Sequence, residues 1–490
     1  MTFISLQYAL FLLVLFVAYW LVPLKWWRLF VMLVGSLIFY ASLQIWYIPL
    51  LLVGVLFNYC LAMAIGEPLD WRIANEAWNR KRLLLLWTGI GLNVLLLLGF
   101  KYVPFFLSSI GTLLNLSFAL DGANWVKTHV VAPLGLSFFC FECIAYLIDV
   151  YRGAPASTSL LHFAAYKLFF PKLISGPITR YHNLINQLKA QKFPTPDRLS
   201  EALWTIAFGA VKKGLFADNL GIYVDLSFTN LQRAGSEDLW LAIFAYGLQL
   251  YLDFSGYVDM ARGTALLLGW YLPPNFDFPY FTASIADFWR RWHMTLGDWL
   301  RNYLYFPLGG SRVGLWRTCL NLSIVMVIAG IWHGAAWGFI VWGALHGLAL
   351  AVHRVTDVVF KHLRLGFLWE NPIGIAIGWL LTQTMVFSSW IFFRLPDLKD
   401  SGWAISHLWG HTADAQFANK VYAEALGLER VQLSWILAAL AVAMLGNYAL
   451  SRGLKLELNW PVKLVLVPIC LYAVWVLAPE GGLPYIYFDF

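Results

Sequence analysis

The chain has 490 residues, of which 60% are hydrophobic and only 12% charged, with a mean hydropathy of +0.66. No soluble core of this length hides so much apolar surface, so the solvent is a bilayer and the fold is read as all-α and polytopic. The formal net charge of +7 resides in the flanks of apolar segments, and no basic and aromatic pattern points to nucleic acid.

A crossing needs about 20 apolar residues. Apolar segments fall near 3–22, 28–43, 46–65, 83–99, 103–119, 130–151, 160–177, 201–216, 240–272, 318–353, 371–393, 433–451 and 463–478. They predict about eleven crossings plus interfacial or re-entrant pieces. Residues 1–22 have no basic n-region and no small-residue cleavage pattern, so they read as a retained first span. Lys25 and Arg28 follow that span, and Arg72, Arg80, Lys81 and Arg82 follow the third, whereas Ser42–Pro49 carries no charge. Positive-inside bias then puts the N-terminus outside. By the same rule Lys189, Lys192, Arg198, Lys212 and Lys213 mark a cytoplasmic stretch, and the loop 395–432 reads as external.

Cys60, Cys140, Cys143, Cys319 and Cys470 all lie in apolar segments, so no disulfide framework is implied. The Cys140–Cys143 spacing lacks the second pair or preceding strand of a redox or zinc site, and ordinary buried thiols are expected. Glu142, Tyr146 and Asp149 share a helical face, either lining a polar path or bonding a neighbouring helix. Asp253 and Asp259 lie in an apolar run, where each needs a partner such as Arg262 or a histidine that it orients. A structural network and a substrate-binding role are both open for these two carboxylates.

Residues 286–304 read as one interfacial amphipathic helix. Trp289, Trp292, Leu296, Trp299, Leu300 and Tyr303 fall on one side, and Asp287, Arg290, Arg291, Asp298, Arg301 and Asn302 on the other. Asp287 with Arg291 and Asp298 with Arg301 have ion-pair spacing. His293 falls at the edge of the tryptophan face and is expected to point into the protein.

Residues 318–353 hold 36 positions without Asp, Glu, Lys or Arg, yet contain Trp332-His333-Gly334 and His346. A titratable ring at bilayer depth is costly unless it faces the interior or a wet cavity. Histidine changes charge nearest neutral pH, which suits it to proton transfer. Gly330, Gly334 and Gly338 recur every fourth residue and let another helix approach closely. The stretch is shorter than the ~40 residues two spans need, so the hairpin is expected to be short or broken near His333. The separations of His293, His333 and His346 match no common metal-ligand motif, and neither a metal nor a bound cofactor is expected. No Gly-x-Ser-x-Gly elbow or Ser-His-Asp set supplies a nucleophile.

Several runs together resemble the membrane-bound O-acyltransferase family, most closely the bacterial branch that acetylates exopolysaccharides such as alginate or cellulose. They are Pro133–Phe139 leading to Asp149–Arg152, Phe170–Pro177, Leu248–Met260, Pro274–Tyr280, Asp287–His293, Tyr305–Arg312, Trp332–Gly334 and the ending Tyr485–Phe490. The chain departs from that pattern at Glu142, where Gln is expected, and at Lys172, where Gln is common. The resemblance is dense over about 95–350 and looser at both ends, the C-terminal helices 371–490 included, and it implies a single integral membrane domain over 1–490.

The resemblance further implies a ring of helices around a central tunnel, with a thioester donor such as acetyl-CoA entering from the cytoplasm. His333 would be the catalytic histidine and His293 the second histidine or its supporting partner. Trp289, Trp332, Asp253 and Asp259 are the expected substrate-binding residues. Expected partners are membrane lipids, the polysaccharide acceptor and a periplasmic acetyltransferase of the serine type, which would dock near Tyr485–Phe490. The bacterial inner membrane is the expected location. Two other readings are D-alanyl transfer to a cell-wall polymer and a transporter or flippase, although the halves show no repeat of hydropathy or motif.

Overall fold

The computed structural model describes residues 1–67, 75–456 and 458–486; Arg72 and the last four residues of the C-terminal motif lie outside them. No strand occurs among the described residues. Seven helices there are long and apolar enough to cross a membrane, together with the shorter apolar helix Leu6–Leu21. The windows 83–99 and 103–119 fall largely within the run Asn79–Leu114, whereas 28–43 and 46–65 lie on the two helices Lys25–Gln44 and Ile48–Gly66, parted where Gln44 leaves helical geometry (φ −149°, ψ 78°).

The chain divides into two compact units, Met1–Ile206 with Tyr257–Pro273, and Ala207–Gly256 with Pro274–Phe490. In the first, the expected segment 130–151 becomes the helix Leu136–Tyr151, entered through Gly135 at φ 76°. A Cβ there would stand 2.4 Å from the Leu173 carbonyl oxygen, so only glycine fits. The segment 160–177 does not form a span. It breaks into Leu160–Lys167 and Phe170–Leu173, because Pro171 and the close packing of Gly176 on Lys172 stop a continuous helix.

Glu142 and Lys172 bond to each other. Lys172 Nζ lies 2.5 Å and Lys167 Nζ 3.0 Å from Glu142 Oε2, and Thr179 N donates to Oε1 at 3.0 Å. All three charged side chains are buried. The Glu142–Tyr146 face therefore bonds its neighbours: Tyr146 Oη accepts from Ser157 N at 2.7 Å. Cys140 and Cys143 are buried free thiols. Also in this unit, Asp259 pairs with Arg262 at 3.4 Å.

In the second unit Lys213, expected as a cytoplasmic charge, is buried beside Asp218 (2.7 Å) and Asp253 (2.5 Å). Its ammonium also donates to Pro484 O at 3.1 Å, and the other Asp253 oxygen accepts from Ile486 N at 3.1 Å. Asp253 is thus held by Lys213 and not by Arg262, and it fastens the C-terminal segment. Tyr485, expected near a docking surface, is buried under that lysine. A buried ammonium needs such a cage because desolvation costs several kcal/mol per ion.

The uncharged stretch forms a hairpin of Leu315–His333 and Trp337–His362. It reaches full length by running past the uncharged window to Arg317 at one end and Arg354, Asp357 and Lys361 at the other, where charged heads can reach water. The hairpin is therefore not short, and its turn, 334–336, falls beside His333. Gly330 and Gly343 bring the two helices together: a Cβ on Gly330 would meet Phe339 O at 2.2 Å, and one on Gly343 would meet Met326 O at 2.4 Å. Gly338 instead faces Pro396 and donates its N–H to that carbonyl at 2.9 Å. The stripe therefore serves two neighbours.

Candidate active site

His333 is the last residue of its helix. Gly334 leaves in extended geometry (φ −163°, ψ 156°), and the Phe339 ring occupies the space where a Cβ on Gly334 would sit, 2.0 Å away. The helix therefore ends there, with the imidazole against Trp332 (centroids 5.0 Å), Phe393 (5.0 Å) and Trp342 (5.2 Å, perpendicular). His333 is 3% exposed, which places it inside the protein.

The expected single helix over 286–304 is broken at His293. Ile285–Arg291 and Met294–Leu300 are separate helices, and His293 between them is left-handed at φ 43°, ψ 55°. Histidine adopts this conformation more readily than most residues, but its neighbours must hold it. Asn275 supplies the hold. Its carbonyl accepts from Met294 N at 2.9 Å, and its Oδ1 accepts from Thr295 N at 3.0 Å and Thr295 Oγ1 at 2.6 Å. Asp277 N donates to Arg291 O at 3.0 Å on the other side of the kink. Sequence reasoning missed this role for Asn275; the only signal was its place in the Pro274–Tyr280 run. The apolar side was read correctly for Trp292, Leu296, Trp299, Leu300 and Tyr303, which are buried.

The kink turns His293 inward, edge-on to Phe254 (4.8 Å) and 6.2 Å from Trp332. Burial lowers its imidazole to about 3, so the ring is neutral in the folded protein. Both histidines therefore touch Trp332. Trp289 is placed on the far side of this group, where its indole N–H donates to His346 Nδ1 at 3.2 Å. Asp253 is in the same unit but its oxygens are taken by Lys213 and Ile486 N, and Asp259 belongs to the other unit. Of the six expected site residues, His293, Trp332 and His333 meet directly and Trp289 joins them through other aromatic rings.

A histidine at the end of its helix, enclosed by rings, offers an imidazole of the kind that takes a proton from a hydroxyl. The family model of the membrane-bound O-acyltransferases matches residues 125–392. The chain is 33% identical over 482 residues to the probable alginate O-acetylase AlgI of Pseudomonas putida, covering 94% of each chain. It is 38% identical over 373 residues to the probable alginate O-acetylase AlgI of Pseudomonas aeruginosa, covering 76% of this chain and 68% of the relative. It is 36% identical over 399 residues to the peptidoglycan O-acetyltransferase of Helicobacter pylori, covering 76% and 71%. The chain is a multi-pass membrane acyltransferase and belongs to the membrane-bound O-acyltransferase family.

Proposed function

We propose that this acyltransferase moves an acetyl group from a cytoplasmic thioester, acetyl-CoA, to an acceptor on the other side of the bacterial inner membrane, with its own N-terminus on the periplasmic side. His333 is the general base. Its ring takes the proton of the acceptor hydroxyl as oxygen attacks the thioester carbonyl. The new C–O bond forms, the tetrahedral intermediate collapses with loss of the C–S bond, and the proton passes from the imidazolium to the departing thiolate. No acyl-enzyme is needed. Neutral His293, held in its kink by Asn275, positions the acceptor or His333 across Trp332.

The observation that carries this reading is the placement of buried His333 at the end of its helix, beside the hairpin turn, sharing Trp332 with a second buried histidine. The relatives named for acetylating alginate and peptidoglycan support a polysaccharide as the final acceptor. A periplasmic acetyltransferase is the proposed intermediary, because the loop 395–432 holds only short helices and offers no separate sugar-binding domain. The test is reconstitution in liposomes with acetyl-CoA and polymer, with and without the companion protein. Thioester consumption with polymer acetylation only when the companion is present is the expected result. Movement of solute without thioester consumption would exclude the enzyme reading, and full acetylation by the chain alone would exclude the relay.

A further inference from the structure

His346 is completely buried one helical turn beyond Trp342 on the helix Trp337–His362. Its hydrogen bonds admit one protonation pattern. The Trp289 indole nitrogen is only a donor, so His346 Nδ1, 3.2 Å away, must accept. A neutral ring then carries its proton on Nε2 and donates it to Ser389 Oγ at 2.9 Å. The Ser389 hydroxyl proton goes in turn to Val386 O at 2.7 Å. Every polar atom of the chain of contacts is used, and the ring has no lone pair left for proton transfer. His346 is therefore not a second base.

Its contacts lead back to the reacting centre. The His346 ring lies 4.7 Å from Trp342, and Trp289 meets the same indole edge-on at 5.8 Å. His333 stands perpendicular to Trp342 at 5.2 Å. Trp342 also stacks on Trp390 (6.0 Å, 19°), which touches Trp292, the residue before His293, at 5.1 Å. One aromatic body thus reaches from His346 to both histidines, and its polar fastening is the Trp289–His346–Ser389 chain.

We propose that His346 is a positioning residue for the acyl transfer: by fixing Trp289, it locks the Trp342 wall against which His333 is oriented. The proposal rests on the reading of His333 as the base. An imidazole that must take a proton from a hydroxyl has to stay within a narrow range of angles, and a misplacement of about 1 Å costs on the order of 10²-fold in rate. A loosened Trp342 would release that constraint while leaving donor binding intact.

The test uses the full-length protein in detergent with acetyl-CoA and the acetyl-accepting companion. H346F keeps an aromatic ring in the space but removes both hydrogen bonds; H346N keeps, through its side-chain oxygen, the acceptor for Trp289. The proposal predicts that H346F loses about 10²-fold in kcat while KM for acetyl-CoA moves less than about threefold, and that H346N recovers most of the loss. W289F, which keeps the ring and drops its N–H, should lose kcat to a similar degree, and combining it with H346F should add nothing further. If H346F does not fold, W289F against H346N makes the same comparison. Parental kcat in H346F or W289F would overturn the proposal, as would equal impairment of H346N and H346F. H333Q separates the two claims: an active H333Q removes the base reading, whereas an inactive H333Q beside a fully active H346F removes only the role of His346.

Discussion

Glu142→Gln removes the anion that stands between two buried ammonium groups. In the parent, Glu142 is bonded to Lys172 at 2.5 Å and Lys167 at 3.0 Å, and both lysines are essentially sealed from solvent, at 3% and 0% exposure. A glutamine there offers one carbonyl oxygen to two cations and turns an amide N–H₂ towards them. Removing one partner of a buried ion pair costs about 3–5 kcal/mol, and with two cations stranded the upper half of that range is expected. Lys172→Gln costs less, since Glu142 keeps Lys167 and the donors of Thr179. The double variant, with glutamine at both places, strands only Lys167. It should be more stable than the sum of the single losses predicts, with a coupling of about 1–3 kcal/mol. The assay is equilibrium unfolding in mixed micelles followed by tryptophan fluorescence. A Glu142→Gln protein within about 0.5 kcal/mol of the parent, the usual range for an inconsequential surface change, would refute the reasoning.

Asp253→Asn should free the C-terminal segment by weakening its hold on Lys213 and losing the charge that faces Ile486 N, so carboxypeptidase should trim residues beyond 480 faster than in the parent; equal trimming would contradict the anchoring. Gly330→Ala puts a methyl 2.2 Å from a backbone carbonyl and should lower the unfolding midpoint sharply, whereas Gly446→Ala, which meets nothing within 4 Å, should leave it unchanged or raised by up to about 1 kcal/mol. His293 titrates near 3 when folded and near 6.5 when unfolded, so the unfolded chain takes up the proton first. Its contribution to stability is therefore complete above pH 6.5 and is lost as pH falls towards 3. Stability measured across that window should fall less steeply in His293→Asn, which tolerates the left-handed backbone.

The hairpin around His333 was legible because three signals coincided: a charge-free run too short for two spans, a histidine at its centre and glycines at helical spacing. The kink at His293 was not. The local pattern of 286–304 is amphipathic throughout, and the break comes from Asn275, which is eighteen residues away in the chain and bonds the backbone on one side of the turn. Charge rules misread Lys213 for a related reason: a lysine beside an apolar segment looks like a membrane flank until distant Asp253 is seen to cage it. Glu142 and Lys172 stand 30 residues apart, and only proximity reveals that each balances the other's charge. Periodicity reports which face of an element is apolar, while paired polar groups far apart in sequence decide where elements break.

The central claim is that His333 takes the proton of the acceptor hydroxyl. The direct measurement is single-turnover transfer from acetyl-CoA by His333→Gln, a variant of similar polarity, purified and inserted like the parent. Loss of a positioned general base predicts a rate lower by about 10²–10⁴ with donor binding retained. Transfer within about twofold of the parent would contradict the account, since a base that can be removed without a change in rate is not acting in the rate-limiting chemistry.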